Sequence, residues 1–180
     1  SLLVGALVAA GVSDEALTFT HCVGEMQGRG TSTLSHAGGR SDYAVAAAGE
    51  PLDVQAGPVF WKVTIEEYTH RGYYFALGVS STAQPRGDDS SYKDGSSFGW
   101  DANGRMAGAP DKHEGWQGWQ PGNVAVFKLD ADRLSMRVRR LDQTFSIATN
   151  GARDLRLWTV WWDDKPRRVR FSQADPGDEF

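Results

Sequence analysis

Residues 59–79, VFWKVTIEEYTHRGYYFALGV, and residues 96–101, SSFGWD, decide the fold. Trp61, Val63 and Ile65 alternate with polar residues, and Tyr73, Phe75, Leu77 and Val79 alternate again after a turn at His70, Arg71 and Gly72. Alternation with a period of two is the signature of a strand with one face buried, because successive side chains point to opposite faces. The spacing predicts an antiparallel meander. A Ser-, Asp- and Gly-rich loop over 81–97 follows, with Tyr92 alone among polar residues. Loops of that length in a compact domain are usually functional or mobile.

Outward from this stretch the same pattern continues. Strands are expected at 17–20, 42–48, 97–101, 124–129, 134–138, 145–148, 155–162 and 168–171, and residues 24–40 read as a surface loop enclosing one weak strand. Residues 134–138 form a pair with 124–129, placing Leu134, Met136 and Val138 inward and Ser135 and Arg137 outward. Asn103-Gly104 and Asn150-Gly151 are hairpin-turn signals. The fold class is therefore all-β, an antiparallel sandwich. Its body spans 16–173, with an apolar segment at 1–15 that forms a short helix or strand and a polar, frayed tail at 174–180.

Composition agrees with one domain. A chain of 180 residues buries roughly 70% of its unfolded surface, and seven Trp, eight Phe and five Tyr can fill the core. The net charge of −4 and the lack of a like-charge block speak against nucleic-acid and membrane partners. Cys22 is the only cysteine, which excludes an intrachain disulfide and points to a reducing, intracellular, cytoplasmic setting. The apolar run at 2–11 is too short to span a bilayer, which takes about 20 residues. With no initiator Met, the chain reads as part of a larger multidomain protein or assembly.

The segments resemble the SPRY (B30.2) family in order and spacing. The family's Trp-x-Val-x-Ile strand matches Trp61, Val63 and Ile65, its Gly-Val matches Gly78-Val79, and its Ser-aromatic-Gly-aromatic segment matches Ser97-Phe98-Gly99-Trp100. Pro51-Leu52 before Gly57, Gly122 before Leu129-Asp130, and Leu134-Ser135 extend the match over 17–172. Arg139-Arg140-Leu141-Asp142 replaces the family's Asn-Gly or Asp-Gly turn, and Leu157-Trp158 replaces its Tyr-Pro. The resemblance implies a concanavalin-like jelly roll that binds proteins or peptides through loops at one end and catalyses nothing. Within the family the nearest pattern is that of SPRY proteins with a SOCS box, which hold a short Asn-rich peptide. It implies ligand-binding roles for Gly72, Tyr73, Tyr92, Val160 and Trp161. Tyr73 departs from the family's small polar residue there.

Physical reasoning adds Arg71 as a hydrogen-bond donor and Trp162 as an alternative anchor. Of Trp161 and Trp162, adjacent on one strand, one must face the core and the other outward. Other chemistries are poorly supported. Gly95 to Gly99 fits G-x-S-x-G but lacks the strand–turn–helix of a nucleophile elbow. Asp88, Asp89, Asp94 and Asp101 lack calcium-loop spacing. Glu66 and Glu67 are adjacent and cannot flank one glycosidic bond. His21, His36, His70 and His113 have no ligand spacing. No catalytic residue, metal or cofactor is expected. The basic run Lys165 to Arg170 reads as an edge strand protected by charge and Pro, with Arg168 and Arg170 outward. Two other classes stay open: a carbohydrate-binding sandwich with exposed Trp116, Trp119 and Trp162, and a structural subunit docking through its N-terminal segment.

Overall fold

The computed structural model describes residues 11–39, 42–69, 75–88, 90–107, 113–178 and 180. In chain order the strands are β1 (Phe19–Val23), β2 (Thr33–His36), β3 (Asp42–Ala48), β4 (Val59–Glu67), β5 (Phe75–Ser80), β6 (Ser97–Trp100), β7 (Val124–Leu129), β8 (Arg133–Val138), β9 (Thr144–Ala148), β10 (Arg156–Asp163) and β11 (Arg167–Gln173). A 3-10 turn (Glu15–Leu17) precedes β1 and a one-turn helix α1 (Ser90–Lys93) precedes β6. Of the apolar segment at 1–15, expected as a short helix or strand, residues 1–10 lie outside the described residues. Among the described residues, no helix is long and apolar enough to cross a membrane.

Two antiparallel sheets form the sandwich: a five-stranded sheet in the order β1-β3-β10-β5-β6 and a six-stranded sheet in the order β2-β11-β4-β7-β8-β9. Their inner faces supply the main core. Trp61 stacks on Phe127 at 5.3 Å between ring centroids, and Trp100 meets Phe127 at 6.1 Å. The alternation that marks β4 and β5 as strands does not say which strand each pairs with. The expected meander is corrected here: β4 pairs with β7 and β11, while β5 pairs with β10 and β6 in the opposite sheet. Both strands turn apolar residues inward, so their sheets meet across the core, and Tyr68, just beyond β4, meets Phe75 at 5.0 Å. A second correction concerns β11. It lies between β2 and β4, not at an edge, although Arg168 and Arg170 do face outward. Both of its hydrogen-bonding sides are occupied, so the arginines serve its exposed face and not an unpaired edge.

The family motif glycines acquire a physical reason. Gly78 and Gly99 sit opposite one another in the β5–β6 register. A Cβ on Gly78 would stand 1.9 Å from the Phe98 carbonyl oxygen, and one on Gly99 would stand 2.2 Å from that of Leu77. Only residues without a Cβ allow these strands to approach so closely. Where the family turns with Gly, Arg140 takes the left-handed conformation itself, at φ 76°. The described residues 174–178 and 180 are not frayed: Asp175 pairs with Lys62 and Arg139, and Phe180 packs edge-on to Phe60.

Candidate functional site

Strand register sorts the loops between the two ends of the sandwich. The ends of β2, β4, β6, β8 and β10 and the starts of the strands that follow them lie at one end, so the five connections between them leave the sandwich there. The 81–96 connection starts from the other end, since β5 enters at 75 and leaves at 80. It returns along the outer face of the five-stranded sheet. Pro85 accepts a 2.8 Å contact from His21 Nε2 on β1, and Gly87 lies so close to Val23 that a Cβ would meet its Cγ1 at 2.5 Å. The helix α1 then seats Tyr92 over Val45, Ala76, Trp158 and Val160, with Ala107 completing a second apolar cluster.

The connection therefore acts as a roof. Trp158 and Val160 point outward from β10, where they would otherwise be wet, and the roof buries them to 0% and 1% exposure. Tyr92, read from the sequence as an isolated anchor, is itself buried. Its hydroxyl donates to Asp101 Oδ2 at 2.5 Å, while Asp101 Oδ1 accepts from the backbone N–H groups of Asn103 and Arg105. Asp101, with no exposed surface, thus ties the roof to the start of the 101–123 loop. The other acids of the roof are used locally. Asp88 Oδ1 accepts from the Ser90 N–H and Asp94 Oδ1 from the Ser96 N–H. The bonds from Ser90 hold the Asp88 carboxyl below its ordinary range.

The loop 101–123 is organised by indole N–H groups. Trp116 Nε1 donates to the Asp101 carbonyl and Trp119 Nε1 to that of Trp100, at 2.8 and 2.9 Å. Trp116 and Trp119 are buried, which corrects the expectation that they lie exposed for sugar stacking. Each ring fills core while its one polar atom finds a carbonyl. Trp100 Nε1 donates to His113 Nδ1 at 2.9 Å, which places the imidazole proton on Nε2. Burial pushes the His113 pKa down, favouring that neutral form.

The seven residues expected to bind are distributed as follows. Arg71, Gly72 and Tyr73 lie outside the described residues. Tyr92 and Val160 meet in the roofed cluster. Trp161 points the other way, into the main core, with Phe75 at 6.2 Å. Trp162, one residue on, faces outward in line with Val160 but is only half-buried. It lies opposite Tyr43 in the β3–β10 register, with ring centroids 6.0 Å apart. Sequence reasoning passed over Tyr43, although it is the sole aromatic residue of the Ala-rich strand DYAVAAA. It also took Arg167 only as part of the charged run 165–170, where the structure buries it. That guanidinium, 1% exposed, stands 4.4 Å from the Phe75 ring, 5.0 Å from Tyr68 and 5.3 Å from Trp161. It is a cation–π pillar beneath the Trp162 end, joining β11 to β5 and β10 across the core. Beside the aromatic pair the loops 37–39 and 164–166 interlock, the Gly39 N–H donating to the Asp164 carbonyl at 2.9 Å.

Two antiparallel sheets in this order, with five connections gathered at one end and a roof on the smaller sheet, define a SPRY-type, concanavalin-like jelly roll. Solved structures of that class are similar throughout. The SPRY domain of human HERC1 aligns with a TM-score of 0.63 at 15% identity, covering 92% of this chain and 99% of that one. The TRIM65 PSpry domain aligns at 0.58 and 15% identity, covering 93% and 94%. The carbohydrate recognition domain of Emp47p aligns at 0.51 and 10% identity, covering 92% and 98%. No family model and no curated protein matches the chain. Likeness at these identities establishes the fold, and function rests on the site.

Proposed function

We propose that this domain is a non-catalytic interaction module that binds a short peptide or protein surface at the Trp162 end of the sandwich. The observation that carries this reading is the Trp162–Tyr43 pair. Two large aromatic rings stand together, half-buried, where the roofed apolar cluster gives way to the interlocked loops. Rigid rings of this kind dominate protein interfaces because they bury much area for little lost entropy. Val160 and Tyr92 support the surface from beneath, and Trp161 with Arg167 fixes the strand that presents Trp162. Gly72 and Tyr73, on the β4–β5 connection, supply further contacts by the family resemblance, and Arg71 beside them donates hydrogen bonds. The module works as part of a larger protein in the cytoplasm, a setting supported by the single free thiol of Cys22, which burial pushes toward its neutral form.

The test is selection of peptides from a random library on the immobilised domain, followed by titration of the enriched peptides. Trp162→Ala should weaken binding by at least tenfold, since truncating a hot-spot aromatic costs about 2 kcal/mol or more. Leu141→Ala, on the β8–β9 turn, should leave affinity unchanged. Peptides that bind Trp162→Ala and the parent domain equally would refute the site, and enrichment of none would refute the function.

A further inference from the structure

The outer face of the six-stranded sheet carries a feature separate from the Trp162 end. Inward positions of β4 and β7 belong to the core, whereas Phe60, Lys62 and Thr64 on β4 and Val124, Val126 and Lys128 on β7 face outward. Most of this face is polar or basic: Lys62, Lys128, Arg133, Arg137 and Arg139 are all on it or at its rim. The exceptions are Val124, at the start of β7, and the pair Phe60 and Val126. Both members of the pair are buried, at 8% and 4% exposure, yet neither belongs to either hydrophobic cluster. Residues 174–178 and 180 lie over this face: the Phe180 ring packs on Phe60, and Gly177, Asp178 and Phe180 border the same cleft as Val126.

That segment is an acidic turn followed by an aromatic. Asp175-Pro176-Gly177-Asp178 closes with the Asp178 N–H on the Asp175 carbonyl at 3.0 Å, and Gly177 has φ 91°. Proline second and glycine third is the sequence of a type II turn, so the segment is largely pre-formed. Its carboxylates meet the basic face directly. Asp175 lies 2.9 Å from Lys62 Nζ and 2.6 Å from Arg139, and Asp178 lies 2.8 Å from Arg139. Hydrogen bonds from Arg139 and Lys62 hold the Asp175 carboxyl below its ordinary range. Two residues beyond the turn, the Phe180 ring packs edge-on to Phe60 at 6.2 Å, and the Phe180 carbonyl accepts from Lys128 Nζ. The fit is incomplete. A cleft of about 260 Å³ remains between the segment and the sheet, bounded by Val126, Arg137, Arg140, Gly177 and Phe180.

We infer that this face is a docking groove for an acidic turn bearing an aromatic residue, and that residues 174–180 are its releasable intramolecular occupant. The seated segment shows the chemistry the groove accepts: two carboxylates spaced for Arg139 and Lys62, and a ring for Phe60. Solvent-exposed ion pairs hold such a segment weakly, so its occupancy depends on its high local concentration. A partner segment of the same chemistry competes by displacing it and then covers Phe60 and Val126 in its place.

The probe is a fluorescein-labelled synthetic peptide of sequence ADPGDEF, titrated against the full chain. The intact protein should bind it weakly. The Asp175→Asn/Asp178→Asn protein, whose own segment no longer competes, should bind at least about tenfold more tightly. Adding Arg139→Gln should abolish the gain, and so should molar salt, which screens the pairs. Equal binding by the parent and the double variant, or binding by neither, overturns the inference. Capture by the double variant of duplex DNA or phosphatidylserine vesicles but not of the peptide also overturns it. Should the double variant fail to fold, hydrogen exchange on the parent decides. Saturating peptide must accelerate exchange at the Asp178 amide, and unchanged exchange rejects displacement.

Discussion

Replacing Tyr92 with Phe isolates the bond on which the roof hangs. The substitution keeps the ring that packs on Val45, Ala76, Trp158 and Val160, and removes only the hydroxyl that donates to Asp101 at 2.5 Å. Asp101 has no exposed surface, so water cannot take the hydroxyl's place without opening the 101–105 turn. A hydrogen bond to a carboxylate in such a place contributes about 1.5–3 kcal/mol. For a domain of this size about 2 kcal/mol corresponds to a melting temperature lower by about 4–8 °C. Tyr92→Ala should cost more, about 3–5 kcal/mol, because it also leaves a cavity over Trp158. The assay is urea unfolding followed by tryptophan fluorescence, comparing midpoints at constant slope. A Tyr92→Phe change below about 0.5 kcal/mol would refute the argument, since the bond would then be no better than one to water. Equal losses for Phe and Ala would refute it differently, by assigning the whole effect to the hydroxyl and none to the ring.

Two other substitutions probe the frame around the site. Gly78→Ala should abolish folding or cost more than about 3 kcal/mol, because its Cβ meets the Phe98 carbonyl oxygen at 1.9 Å and neither strand can retreat without losing its register; a circular-dichroism melt within 1 kcal/mol of the parent (about 3 °C) would reject this. His113→Phe should cost about 1–3 kcal/mol by leaving the Trp100 indole N–H without its acceptor. The parent should also show a pH dependence that this variant lacks. The folded-state pKa of His113 lies below its ordinary 6.5, so the unfolded chain binds the extra proton first. Stability is then full above pH 6.5 and declines as pH falls through the folded value, and identical slopes for both proteins between pH 7 and 5 would reject the assignment.

The strands themselves were legible from residues alone, because burial of one face forces a period of two on every strand that lines a core. β3 and β7 appear in the sequence with their observed limits, and β8 to within one residue. Gly78 and Gly99 also announced themselves, since a close backbone approach tolerates no other residue. Pairing was not legible. β4 and β5 adjoin in sequence and share a pattern, yet lie in different sheets, because alternation records which side of a strand is dry and not which strand lies beside it.

The site divides along the same line. That one of Trp161 and Trp162 must face outward follows from the pleat. That Trp162 is the outward one depends on the sheet to which β10 belongs and on Phe75 and Arg167 waiting on the inner side. Tyr92 stands among polar neighbours in the chain and in a buried cluster in space, because the 81–96 connection folds back over a sheet whose outer face is apolar. Likewise, residues 174–180 are polar enough to read as a loose end, and only the basic face beneath them supplies the charges that hold them down. Local sequence therefore determined what each strand hides from water. Tertiary structure decided what each loop covers, because a loop's partners come from distant parts of the chain and leave no period in its own residues.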